Sequence, residues 1–206
     1  MYNKLQYISQ GKTIEEQLLN IRKALENGCQ WIQMRFKDTH SDNVFTLAEA
    51  VKRMCQEYTA TFIINDNVYL AKKINADGVH LGLNDMNIVE ARTILGEAKI
   101  IGGTANTFEE VLQRTAENCN YIGLGPFQFT ATKEKLSPVL GLEGYHLIIQ
   151  QMKTKKNKIP IYAIGGIQLE NVDDIMKTGI YGIAVSGLIT QSENPFQLIT
   201  QLNKKL

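Results

Sequence analysis

A chain of 206 residues has room for one domain with a full hydrophobic core and leaves space for only a very small second one. Its 44% hydrophobic and 21% charged residues exclude disordered, collagen-like and disulfide-scaffold classes. A formal net charge of +1 provides no bulk field for nucleic acid or an acidic membrane surface, so anions must be held by a few locally placed cations. The expected partners are small molecules.

Cys29, Cys55 and Cys119 are odd in number and far apart, which suggests neither a disulfide framework nor a structural zinc site. Met1 to Gln10 lacks the basic and apolar segments of a signal peptide, and no apolar run approaches membrane-spanning length, so residence in the cytoplasm is expected.

In chain order, eight short apolar runs read as strands: Leu5–Ser9, Trp31–Phe36, Phe62–Asp66, Gly78–Gly82, Lys99–Thr104, Tyr121–Phe127, Ile159–Gly166 and Gly182–Gly187. Their interiors are nearly all apolar, as in parallel strands covered on both faces. Amphipathic stretches alternate with them. Ile14, Leu18, Ile21 and Leu25 form one helical stripe, and Val44, Leu47, Val51 and Met54 form the next. Thr13 with Glu16, and Thr107 with Glu110, have capping-box spacing, while Asn194-Pro195 reads as an N-cap and first helical turn. Eight β-α repeats without an irregular insert predict a single (β/α)₈ TIM barrel over residues 1–206, in preference to an open doubly wound sheet.

A barrel of this kind carries its active site at the C-terminal strand ends. The second strand supplies Gln33, Arg35 and Lys37 on one side; the two cations suit a phosphate or diphosphate, with solvated surface charges as the competing reading. The third ends in Asn65-Asp66, and the fourth leads through His80 and Gly82 to Asp85. Two carboxylates from adjacent strand ends suit Mg²⁺, against the alternative that each Asp caps its following helix. His80 reads as a packed, hydrogen-bonded histidine without a catalytic role.

The fifth strand ends Gly102-Gly103-Thr104. The sixth ends Gly123-Leu124-Gly125-Pro126 before the connection Thr130 to Pro138, whose Thr130-Ala131-Thr132-Lys133 offers hydroxyls, amides and a cation. Gly165-Gly166 and Ser186-Gly187 close the seventh and eighth strands, either as backbone phosphate binders or as tight turns that need glycine.

Gln33-Met34-Arg35-Phe36-Lys37, Asn65-Asp66, Val79-His80-Leu81-Gly82 with Asp85, Gly123-Leu124-Gly125-Pro126 with Thr130-Ala131-Thr132-Lys133, Ala163-Ile164-Gly165-Gly166-Ile167 and Gly182-Ile183-Ala184-Val185 together closely resemble the thiamine-phosphate synthase family, along nearly the whole chain. The resemblance implies a transferase of thiamine biosynthesis. It would condense a hydroxymethylpyrimidine diphosphate with a hydroxyethylthiazole phosphate, giving thiamine phosphate and diphosphate by a dissociative, carbocation route.

By the same resemblance, Gln33, Arg35, Lys37, Asn65 and Lys133 would hold the pyrimidine diphosphate, Thr104 would replace the usual Ser as a diphosphate contact, and Met34 and Phe36 would also bind substrate. Arg35, Lys37 and Lys133 would serve catalysis directly, and Asp66 and Asp85 would bind Mg²⁺. Thr130, Thr132, Gly166, Ser186 and Gly187 would hold the thiazole phosphate, with Ala131 also binding substrate. A homodimer is compatible with the sequence, which does not set the oligomeric state.

The chain departs from the family at Thr104-Ala105-Asn106, where Ser and then His are usual, and at Leu83, where Gln is frequent. Two rivals are a thiazole tautomerase-like isomerase on the same barrel, disfavoured by Arg35, Lys37, Asp66, Asp85 and Lys133, and a non-catalytic barrel that binds thiamine phosphate.

Overall fold

The structure is a computed structural model and describes residues 2–37, 40–129 and 138–206. Eight strands, β1 (Leu5–Ile8), β2 (Trp31–Met34), β3 (Thr61–Asn65), β4 (Gly78–Leu81), β5 (Ile100–Ala105), β6 (Tyr121–Leu124), β7 (Ile161–Ile164) and β8 (Gly182–Val185), pair in parallel and in sequence order. β8 returns to β1 through Leu5↔Ile183, Gln6↔Ala184 and Tyr7↔Val185, so the sheet closes into the expected barrel.

The helices are α1 (Ile14–Glu26), α2 (Ser41–Glu57), α3 (Val68–Lys73), α4 (Ile88–Leu95), α5 (Phe108–Ala116), α6 (Gly141–Thr154), α7 (Val172–Lys177), α8 (Gly187–Thr190) and α9 (Pro195–Lys205). Their starts follow the sequence signals. Thr13 accepts from the Glu16 amide, Thr107 and Glu110 form a reciprocal capping box, and Asn194 accepts from the Gln197 amide with Pro195 in the first turn. No helix among the described residues is long and apolar enough to cross a membrane.

Most observed strands are shorter than the apolar runs. At the C-terminal ends the ladder continues for only a residue or so, as Ser9 N–H to Gln33 O and Asp66 N–H to His80 O, both 2.9 Å. Beyond that, side chains take over: Arg35 N–H donates to Ser9 Oγ at 2.9 Å. Arg35, Phe36 and Lys37 therefore lie past β2 rather than within it.

Strand alternation divides the core in two. The outer layer, including Leu5, Tyr7, Ile32, Met34, Phe62, Ile64, Val79 and Ile101, packs under the helices. The inner layer holds Ile8, Trp31, Ile63, Tyr121, Tyr162 and Ala184, with Trp31 meeting Tyr121 and Tyr162 edge-on at 5.0 and 5.2 Å between ring centroids. Such large rings fit only where a facing strand gives way. Gly102 does so, because a Cβ there would run into the Tyr121 ring.

Candidate active site

On the barrel's inner face, above the aromatic layer, the side chains become polar. Gln33 of β2 is 2% exposed and donates through Nε2 to Gln6 Oε1 of β1 at 3.1 Å. Gln6 in turn donates to Tyr121 Oη at 3.1 Å. His80 of β4 bonds Tyr121 Oη through Nδ1 at 3.0 Å and Thr104 Oγ1 through Nε2 at 3.1 Å. His80 is thus the packed, hydrogen-bonded residue its sequence context suggests.

Two residues outside the strands fix the backbone of Arg35. Ser9 Oγ accepts its N–H, and Gln17 of α1 donates Nε2 to its carbonyl at 3.0 Å while also donating to Gly11 O at 3.1 Å. Arg35 is half-buried and Lys37 exposed. Met34 is 2% exposed within the outer core, so its side chain is turned away from the barrel interior, while Phe36 is half-buried and packs against that core.

Asp66 and Asp85 come together. Burial, then the adjoining Asp85 carboxylate, pushes the Asp66 carboxyl up to about 7, against the opposing pull of Arg35 and Lys37. All four residues therefore share one neighbourhood. Asp66 adopts a φ of 65°, a left-handed backbone uncommon outside glycine, at the end of β3.

Neither aspartate caps a helix. Asn67 accepts the Leu70 amide at 2.9 Å to start α3, Asn87 accepts the Val89 amide at 2.8 Å to start α4, and Asp85 turns back onto Gly82 N–H at 2.6 Å. The capping alternative for Asp66 and Asp85 is overturned by those neighbouring asparagines. Two close carboxylates repel, and both residues are exposed at the barrel mouth, where hard oxygen donors of this kind fit Mg²⁺ completed by water and phosphate oxygens. Among the described residues no cluster of three or more His, Cys, Asp or Glu that could hold a metal ion exists.

At the fifth strand end Thr104 is 8% exposed and turned inward, whereas Ala105 is buried on the outer side. Asn106 donates through Nδ2 to the Gly125 carbonyl, tying β5 to the end of β6, and Leu83 is 41% exposed. Arg114 of α5 is 4% exposed and braces two strand ends: Nε donates to Thr104 O at 3.1 Å, and a terminal nitrogen to Gly82 O at 3.0 Å. Gly103 leaves the passage for it, since a Cβ there would lie 2.9 Å from Arg114 Cδ.

Gly165 and Gly166 have φ of 95° and 71°, and a Cβ on Gly166 would lie 2.8 Å from Phe129 O, so the turn itself requires glycine. Asn65 closes β3 beside His80, half-buried on the barrel's inner side. The Ser186 hydroxyl donates to Ile8 O at 2.6 Å, which leaves the backbone at Ser186-Gly187 as what that strand end can present. Thr130, Ala131, Thr132 and Lys133 lie outside the described residues.

Gln6, Ser9, Gln17, Tyr121 and Arg114 were not singled out from the sequence. A polar residue inside an apolar strand, as with Gln6, or on the buried stripe of a helix, as with Gln17 and Arg114, was the available signal.

Comparison with known proteins accords with this geometry. The sequence profile described as thiamine monophosphate synthase matches residues 5–189. The chain is 64% identical over 206 residues to the thiamine-phosphate synthase of Flavobacterium johnsoniae, covering 100% of this chain and 97% of that one. It is 53% identical over 192 residues to that of Phocaeicola vulgatus, covering 93% and 92%. The solved thiamine phosphate pyrophosphorylase of Pyrococcus furiosus superposes with a TM-score of 0.85 at 33% identity, covering 98% of this chain and 94% of that one. The chain belongs to the thiamine monophosphate synthase family.

Proposed function

We propose that the protein is a thiamine-phosphate synthase, a transferase that joins a hydroxymethylpyrimidine diphosphate to a hydroxyethylthiazole phosphate and releases diphosphate. The observation that carries this reading is the paired carboxylates of Asp66 and Asp85 set against Arg35 and Lys37 at adjacent strand ends of a barrel from this family. A thiazole tautomerase-like isomerase has no use for that arrangement.

The pyrimidine C–O bond breaks first, its electron pair leaving with the diphosphate, and the thiazole nitrogen then donates its lone pair to the resulting carbocation. Such a reaction needs preorganised charge around the leaving oxygens and no nucleophile or strong base. Arg35 can grip diphosphate oxygens in a bidentate manner and Lys37 adds a point charge. Gln33, Asn65 and Thr104 orient the same substrate from the barrel's inner side. Lys133 stabilises the departing group.

Asp66 and Asp85 would hold Mg²⁺, which when bound neutralises charge on the diphosphate oxygens. The thiazole phosphate is held by Thr130 and Thr132 and by backbone at Gly166, Ser186 and Gly187. The enzyme works in the cytoplasm on these small molecules, as a monomer or a homodimer.

Purified protein given both phosphorylated precursors and Mg²⁺ is expected to make thiamine phosphate, read as its fluorescent oxidation product. No product above a heat-killed control would sink the synthase reading.

A further inference from the structure

We propose that Tyr121 and His80 are positioning residues: with Gln33 and Gln6 they form a buried donor chain of fixed direction that aims the Thr104 hydroxyl proton into the substrate site. This rests on the reading above, in which Thr104 faces the diphosphate.

The direction follows link by link. Gln33 Nε2 donates to Gln6 Oε1 at 3.1 Å, which fixes the Gln6 amide so that its own Nε2 donates to Tyr121 Oη, also at 3.1 Å. Tyr121 is fully buried, and burial pushes its hydroxyl well above the ordinary tyrosine value, so the oxygen keeps its proton. Its oxygen has accepted from Gln6, and in the proposed direction its proton goes to His80 Nδ1, 3.0 Å away. A neutral imidazole accepting at Nδ1 carries its hydrogen on Nε2, and Nε2 lies 3.1 Å from Thr104 Oγ1. Thr104 Oγ1 therefore accepts from below, and its hydrogen is turned away from His80.

Were the chain reversed, His80 would donate to Tyr121 and accept from Thr104. The threonine would then turn a lone pair toward an anionic ligand instead of a proton. Space for the relay is built in: Gly102 gives way to the Tyr121 ring, and a Cβ on Gly123 would lie 3.2 Å from His80 Cε1. The five side chains are between 0% and 8% exposed, so solvent does not scramble the sense of the bonds.

The test begins with the ring nitrogens of His80, one of only three histidines in the chain, in ¹⁵N-labelled protein, assigned by its disappearance in His80→Gln. The expected spectrum has Nε2 protonated and Nδ1 bare. The opposite tautomer or an imidazolium overturns the proposal, and neither result depends on whether the protein makes thiamine phosphate.

Tyr121→Phe keeps the ring and removes the link. It is expected to mix the His80 tautomers and to lower kcat/KM for the pyrimidine diphosphate by about ten- to a hundredfold, with the KM for the thiazole phosphate unchanged. Thr104→Val should do the same, Thr104→Ser, which keeps a hydroxyl, should lose less than Thr104→Val, and adding Tyr121→Phe to Thr104→Val should lose little more. Additive losses in that cycle, or an unaltered His80 spectrum in Tyr121→Phe, would overturn it.

Discussion

Gln17 Nε2 donates to the Arg35 carbonyl at 3.0 Å, so a residue of the first helix holds a cation that belongs to the second strand end. With Ser9 on the other side, Arg35 has both backbone polar groups engaged. Gln17→Leu would leave the Arg35 and Gly11 carbonyls without that donor, at a cost of about 1–3 kcal/mol in stability. Urea unfolding measures the loss, and the KM for the pyrimidine diphosphate is expected to rise with it. Unchanged values of both would show that the Gln17 clamp is inert.

Asp66 gives the metal reading a pH signature. Its folded value of about 7 lies above the ordinary carboxylate value of 3.8, so between them the unfolded chain has lost a proton that the folded one keeps. Stability of the metal-free protein contributed by this group is accordingly present below pH 3.8 and lost as pH rises towards 7. Mg²⁺ takes the deprotonated form, so its addition should raise Tm more at pH 8 than at pH 5.5 and should do neither in Asp66→Asn. Calorimetry with and without Mg²⁺ checks this. An equal shift in Asp66→Asn would remove Asp66 from the metal site.

Asp66→Ala in turn should stay folded while losing the several kcal/mol of transition-state stabilisation assigned to the metal, a fall in kcat/KM of about a thousandfold or more. Wild-type turnover in that variant refutes the assignment.

The barrel was legible because apolar runs such as Phe62-Ile63-Ile64 and helix signals such as Thr107 with Glu110 are local, and each repeats the same β-α unit. Strand ends were less legible. Arg35 leaves β2 because Ser9 Oγ, 26 positions away in sequence, takes its N–H, and no pattern within the second strand reveals that bond. Candidate ligand residues such as Arg35 and Asp66 could be named from their types and strand-end positions, yet the residues that brace them could not. Gln6 and Tyr121 meet across 115 positions, and Arg114 reaches Gly82 across 32. For Asp66 and Asp85 the capping reading falls only when Asn67 and Asn87 are seen to take the caps.

Gly102 should tolerate no side chain. A methyl group there meets the Tyr121 ring, which is wedged against Trp31 and Tyr162 and has no room to move. Gly102→Ala is expected to destabilise by about 1–3 kcal/mol or more from overpacking. Gly28→Ala serves as the contrast, since its Cβ would meet nothing within 4 Å and only its φ of 96° opposes the change. Comparable unfolding midpoints for the two variants would mean that the inner aromatic layer is looser than these contacts imply.

Arg114 provides the most severe test of how the strand ends are braced. It is buried, pairs with Glu117 at 2.9 Å, and donates to the carbonyls of Thr104 and Gly82. Arg114→Leu would strand Glu117, 12% exposed at its side chain, together with both carbonyls, a loss of about 3–5 kcal/mol by analogy with broken buried pairs. Arg114→Lys keeps the charge but cannot reach three acceptors in one plane, so it should recover only part of the loss. Replacing Glu117 as well, in Arg114→Leu/Glu117→Leu, removes the orphaned carboxylate and should restore stability relative to Arg114→Leu alone. Urea midpoints for the three variants decide the matter: if the double variant is no more stable than Arg114→Leu, the carbonyls of Thr104 and Gly82, rather than the ion pair, are what Arg114 serves.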